Sequence, residues 1–266
     1  MNYCTTPQGA RVAYQIEGDK HSLPLVLLHG FCEDQSVWAP LKPLLKTRDL
    51  LFMDLPGFGD SALPKNPDIP EYAKALWTVL EVESIERCVL VGHSMGGYVA
   101  LEFAARWPER LAGLGLFHAH PFADNEERKT ARLRGIETLQ AGKRDLYVAQ
   151  LFPNLFAPDF LSSHAETINH LIAQGRNQSA EGITAALQAM MNRRDHQHTL
   201  SEINCPVLFL LGARDTLVPL ELALKAALLP SISDLQILPE AAHMAMYECP
   251  EASAEILDVF WKLCQK

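Results

Sequence analysis

Short uninterrupted apolar runs alternate along the chain with longer stretches in which apolar residues recur every three or four positions. The runs at 25–28, 50–53, 88–91, 114–117, 207–211 and 235–238 are bounded by turn-forming residues. They predict strands buried on both faces, preceded by an N-terminal pair around residues 11–17. Helical periodicity predicts helices at 71–82, 95–106, 220–228 and 250–263, the last opening on Pro250, where a missing N–H does no harm. Such alternation is the signature of βαβ units, so the expected fold class is α/β with a mostly parallel, doubly wound sheet. Residues 122–200 break the rhythm: no strand-like run occurs there, only helical patterns at 126–140, 144–152, 159–173 and 180–193. We therefore expect a helical cap, 122–200, inserted into a core formed by 1–121 and 201–266. Leaving one strand end and returning to the same sheet, it is expected over the carboxyl edge, where open α/β sheets bind ligands.

Composition narrows the function classes. The 266 residues are 48% hydrophobic and 21% charged with 15 Gly and 17 Pro, a globular profile with material for a sizeable core. Lys and Arg total 23 against 32 for Asp and Glu, and the net charge of −9 lacks the basic face a nucleic-acid binder needs. The insertion carries nine basic and nine acidic residues, so the whole imbalance belongs to the core. No apolar run approaches the roughly 18 residues a membrane-spanning helix requires. The start, Met1-Asn2-Tyr3-Cys4, has no secretion-signal pattern, so no membrane partner and a cytoplasmic location are expected. Cys4, Cys32, Cys88, Cys205, Cys249 and Cys264 show no C-x-x-C spacing and read as reduced thiols. Nothing in the chain speaks to its oligomeric state.

One motif carries chemistry. The run 88–91 leads into Gly92-His93-Ser94-Met95-Gly96-Gly97 and then a helix, which sets Ser94 on a sharp strand-to-helix turn. Glycines two residues away on each side are needed because strand and helix approach closely there. The spacing matches neither a dinucleotide fingerprint nor a phosphate loop, since Tyr98 follows Gly97.

With His29-Gly30-Phe31 after one run, Asp54-Leu55-Pro56-Gly57-Phe58-Gly59-Asp60-Ser61 after the next, the Ser94 turn, the insertion, Asp215 after 207–211 and His243 after 235–238, the chain resembles the α/β-hydrolase family over nearly its whole length. The likeness is to its capped serine hydrolases, the esterase, haloperoxidase-like and enol-lactonase-like branch. The resemblance implies that Ser94 is the nucleophile, His243 its general base and Asp215 the acid that orients the imidazole. Asp124 is a rival acid, because some family members place it after the preceding strand. The resemblance also implies an oxyanion hole from the Phe31 and Met95 backbone amides, with Gly30 easing the turn and His29 positioning the loop.

Cys32 reads as a packed thiol beside that loop, and His118 and His120 as pocket lining beneath the cap. Together with His29, Gly30 and His93 they are expected to border the substrate pocket. The pairs His118-x-His120 and His196-x-His198 lack a matching carboxylate cluster, so no metal is expected, and the implied chemistry needs no cofactor. Arg128, Arg132 and Arg134 read as solvated helix charges, and Phe122, Phe152, Phe156, Met190 and Met191 as cap core.

The expected function is hydrolysis of small carboxylic esters through an acyl-enzyme. The same triad also fits C–C bond hydrolysis, enol-lactone opening or pyruvate elimination from a cyclohexadiene. A reading of another class is a ligand receptor that retains the triad. A serine at the turn argues against a halide-releasing enzyme, which uses a carboxylate nucleophile. The charged insertion argues against an interfacially activated lipase.

Overall fold

The computed structural model describes residues 1–18, 22–47 and 49–265. Eight strands, β1 (Asn2–Thr5), β2 (Arg11–Glu17), β3 (Leu25–Leu28), β4 (Leu50–Met53), β5 (Cys88–His93), β6 (Leu111–Phe117), β7 (Val207–Gly212) and β8 (Ser233–Leu238), form one sheet in the order β1-β2-β4-β3-β5-β6-β7-β8. Strand β2 runs antiparallel to both its neighbours, and every pairing from β4 through β8 is parallel. All residues of β3, β4, β5, β6 and β7 are buried, which requires cover on both faces of the sheet. Strand β8 departs from that expectation. It pairs only with β7, and Ile237 is 38% exposed, because an edge strand lacks the second neighbour that would complete its cover.

The helices outside the insertion are α1 (Ile69–Val82), α2 (Met95–Arg106), and, beyond β7, α9 (Leu220–Ala227), α10 (Ala245–Glu248) and α11 (Pro250–Leu263). Helix α1 begins two residues earlier than its periodicity predicts, because the Asp68 side chain accepts the Glu71 amide and Pro70 sits in the first turn. Helix α11 is fastened to the chain entering β4 by Asp258, whose buried carboxylate accepts the Lys46 and Thr47 amides.

Between β6 and β7 lie α3 (Glu126–Gln140), α4 (Arg144–Leu151), α5 (Pro158–Ser163), α6 (Ala165–Asn177), α7 (Ala180–Met191) and α8 (Gln197–Glu202). The single helix expected over 159–173 is two, broken at His164. The Ser162 and Ser163 hydroxyls both donate to the Asp159 carbonyl and compete with the backbone for it. Helix α8 is too short for periodicity to reveal. Phe152, Phe156 and Met190 are buried within this segment as expected, Phe122 is half-buried against the core, and Met191 is only half-buried at the C-terminal end of α7. The segment is locked to the core by backbone contact: a Cβ on Gly182 of α7 would strike the Gly57 carbonyl in the loop after β4. Among the described residues no helix is long and apolar enough to cross a membrane.

Candidate active site

Backbone geometry builds the turn that carries Ser94. Strand β5 ends at His93 and α2 begins at Met95, leaving Ser94 alone at φ 49°, ψ −112°, a left-handed strain that a serine adopts only when its surroundings enforce it. A Cβ on Gly92 would collide with the Gly96 carbonyl, and one on Gly96 would lie 2.6 Å from the Leu28 and His29 carbonyls. Both positions are therefore closed to any side chain. Gly96→Ala should lower stability by about 1–3 kcal/mol, a drop in Tm of about 2–10 °C in a thermal melt. An unchanged Tm would show that the turn is looser than its contacts indicate.

His243 lies in the loop between β8 and α10, and its Nδ1 is 2.7 Å from Asp215 Oδ2. The other Asp215 oxygen accepts the Leu217 and Val218 amides at 2.8 and 3.0 Å, so the residue closes its own turn while reaching the imidazole. Burial works against ionising this carboxyl, but the His243 charge and the hydrogen bonds from His118 and His243 outweigh it and hold Asp215 far below the usual carboxylate range. For His243, burial disfavours the charged ring, yet Asp215, by charge and hydrogen bond, with Glu33 and Glu248, holds its pKa above the ordinary value. Asp124 does not approach His243. Its buried carboxylate is taken by Arg132 and Arg193, and of the two acids Asp215 is the one within hydrogen-bond distance of the His243 ring.

Ser94 and His243 both line a cavity of about 390 Å³, with Phe31, Glu33, His93, Tyr98, Tyr147, Leu151, Leu155, Leu187 and Met190 among its other walls. Side chains from the core and from the insertion thus meet around one space of small-ligand size. Among the described residues no hydrogen bond joins Ser94 Oγ to His243, and the Phe31 and Met95 amides have no protein partner.

Several residues expected to border this space do other work. His29 donates from Nδ1 to the Gly30 carbonyl and accepts the Leu55 amide on Nε2, so both ring nitrogens are spent holding loops. Gly30 donates its amide to Glu33, and a Cβ there would press on His93. Cys32 is fully buried beneath α6, its Sγ 3.9 Å from the Gly175 carbonyl, and burial pushes its thiol well up, away from the reactive thiolate. His118, at φ 51°, places Nδ1 3.1 Å from Asp215 Oδ2 as a second imidazole on that carboxylate, and burial pushes its pKa down to about 4. His120 faces Arg128 and the Phe122 amide. Neither Arg128 nor Arg132 is a freely solvated charge, since both border the cavity, whereas Arg134 is exposed.

Two carboxylates escape a reading of the sequence. Glu33 Oε2 accepts the Gly30 amide at 2.7 Å and lies 3.2 Å from His93 Nδ1, while His93 Nε2 is 2.9 Å from the His243 carbonyl. Both His93 nitrogens face oxygen atoms, so the ring bridges Glu33 and the loop that carries His243. Burial alone would raise the Glu33 pKa, but His93, His29 and the Gly30 amide outweigh it and lower it. Glu248 accepts the Ala157 amide on one oxygen and the Ala242 and Met244 amides on the other. A lone Glu in a loop, as at 33, or at the end of a four-residue helix, as at 248, gives no sign in sequence that its carboxylate will gather buried amides. Donor atoms of His118, Asp215 and His243 lie within 4.8 Å of one another, but both Nδ1 atoms converge on one carboxylate oxygen and so are already engaged.

Residues 25–256 match the model of the alpha/beta hydrolase family. The chain is 30% identical over 242 residues to the dihydrolipoyllysine-residue acetyltransferase component of an acetoin cleaving system from Pseudomonas putida, covering 88% of this chain and 62% of that longer protein. It is 28% identical over 231 residues to a 2-succinyl-6-hydroxy-2,4-cyclohexadiene-1-carboxylate synthase of Klebsiella pneumoniae, covering 86% of this chain and 89% of the synthase. Among solved structures it superposes on a thermophilic esterase from Thermogutta terrifontis, determined with malate bound, with a TM-score of 0.93 and 28% identity over 100% of this chain and 99% of the esterase. The match of family model, strand order and fold has one reading: this chain belongs to the alpha/beta hydrolase family.

Proposed function

We propose that the protein is a serine hydrolase that cleaves small carboxylic esters through an acyl-enzyme. The observation that carries the reading is the 2.7 Å contact from His243 Nδ1 to Asp215, with His243 and Ser94 lining the same cavity. Asp215 holds the proton on Nδ1, which leaves Nε2 as the basic nitrogen. His243 Nε2 takes the Ser94 proton as Oγ attacks the ester carbonyl. The Phe31 and Met95 amides stabilise the oxyanion, and the same imidazolium protonates the departing alcohol. Water then repeats the sequence on the acyl-serine. The inserted helices act as a cap that limits the substrate to what about 390 Å³ admits.

The test is a panel of short-chain p-nitrophenyl and alkyl esters, together with a fluorophosphonate probe. Many turnovers per protein, and a single adduct mapped to the peptide containing Ser94, support the reading. A single stable acylation without turnover indicates a receptor, and an adduct elsewhere removes the mechanism. Because only the neutral ring accepts a proton and the His243 pKa is raised, kcat/KM should climb with pH through a midpoint above about 6.5. A midpoint below that value would contradict the Asp215 pairing.

A further inference from the structure

Charges around the cavity do not balance. Arg132 and Arg193 share one carboxylate, Asp124, with Arg193 Nη1 2.5 Å from Oδ1 and Arg132 on Oδ2. Arg128 has no carboxylate within 4.0 Å among the described residues. Its Nη1 is 2.9 Å from His120 Nε2 and its Nη2 donates to the Leu217 carbonyl at 2.7 Å. Neither partner carries a negative charge. Burial first, then Arg193 and Arg128, pushes the His120 pKa down to about 3, so that ring stays neutral. The remaining acid on the cavity wall, Glu33, already faces His93. Three guanidiniums thus stand against the single carboxylate of Asp124, and two of the three, Arg128 and Arg132, line the cavity that holds Ser94 and His243.

Helix energetics do not account for the position of Arg128. It lies in the first turn of α3, where the helix dipole disfavours a cation. It is nevertheless turned toward the cavity, with three of its five N–H groups still without a partner among the described residues. A guanidinium with spare donors in a largely apolar wall is suited to a carboxylate.

Building on the ester-hydrolase reading, we propose that the cavity selects esters that carry a second, ionised carboxylate, bound by Arg128 with Arg132 beside it. The substrate class is the half-esters of short dicarboxylic acids. Recognition of the distant carboxylate orients the scissile carbonyl toward Ser94, so its binding energy is spent on positioning.

The experiment compares monoethyl glutarate with ethyl pentanoate on the whole chain, following acid release at constant pH. Wild-type kcat/KM should favour the half-ester by about tenfold or more, with the preference shrinking as salt is added. Glutarate should compete with the neutral ester. Arg128→Met should cut the half-ester to neutral-ester ratio by about tenfold and weaken glutarate binding, measured by calorimetry. Arg134→Met, which removes the same charge from the exposed face of the same helix, should leave the ratio as in the wild type. The proposal falls if the wild type shows no preference, if glutarate neither binds nor competes, or if both variants change the ratio alike. Loss of neutral-ester turnover in Ser94→Ala reports on the hydrolase reading alone, and glutarate binding on the carboxylate site alone, so the two fail separately.

Discussion

Ser94→Ala is expected to lower kcat for p-nitrophenyl acetate by about 10⁶-fold while leaving the fold intact. The expectation of a silent structural effect is specific. The Ser94 side chain caps no helix end, and alanine inherits the same left-handed backbone without adding a strained atom. What survives should be a rate about 10³–10⁴ above water, supplied by the oxyanion amides and binding. A chromogenic assay beside far-ultraviolet circular dichroism measures both quantities. A variant within about tenfold of the wild type would place the nucleophile elsewhere.

Asp215→Asn should cost about 10⁴-fold in kcat and also displace the pH profile. An amide keeps the shape of the carboxylate but can offer an N–H where Nδ1 needs an acceptor, so the ring is held in the wrong tautomer. Removing the negative charge also removes the main force that raises the His243 pKa, so the acid limb should move to lower pH. Asp124→Asn should behave differently. It strips the shared partner from Arg132 and Arg193 and should lower Tm, while the acid limb stays in place. An acid limb that moves with Asp124 and not with Asp215 would reverse the assignment.

The contrast between these two acids shows how far the sequence is legible. Each follows a strand of the same sheet, and local pattern cannot tell which carboxylate reaches an imidazole at position 243. That depends on where two guanidiniums from the insertion land. Ser94 was readable because its glycines answer a short-range steric demand visible within five residues. The central strands are legible because burial on both faces leaves an unbroken apolar run, whereas the half-exposed β8 carries a similar run and its edge position does not show in it. Glu33 could not be read. Its burial follows from His93, 60 residues away in the chain, and from an amide three residues before it. The break at His164 was hidden for a related reason, since periodicity does not register hydroxyls that compete for a backbone carbonyl.

The loop bearing His243 is sewn to the inserted segment: its amide donates to the Leu155 carbonyl at 2.9 Å, and Glu248 gathers the Ala157 amide together with those of Ala242 and Met244. Under the proposed mechanism, lifting residues 155–157 would drag the His243 imidazole away from Ser94, so that edge of the insertion would not double as the doorway. Traffic would then pass along another flank, and a badly seated insertion would disarm the protein before any substrate arrived.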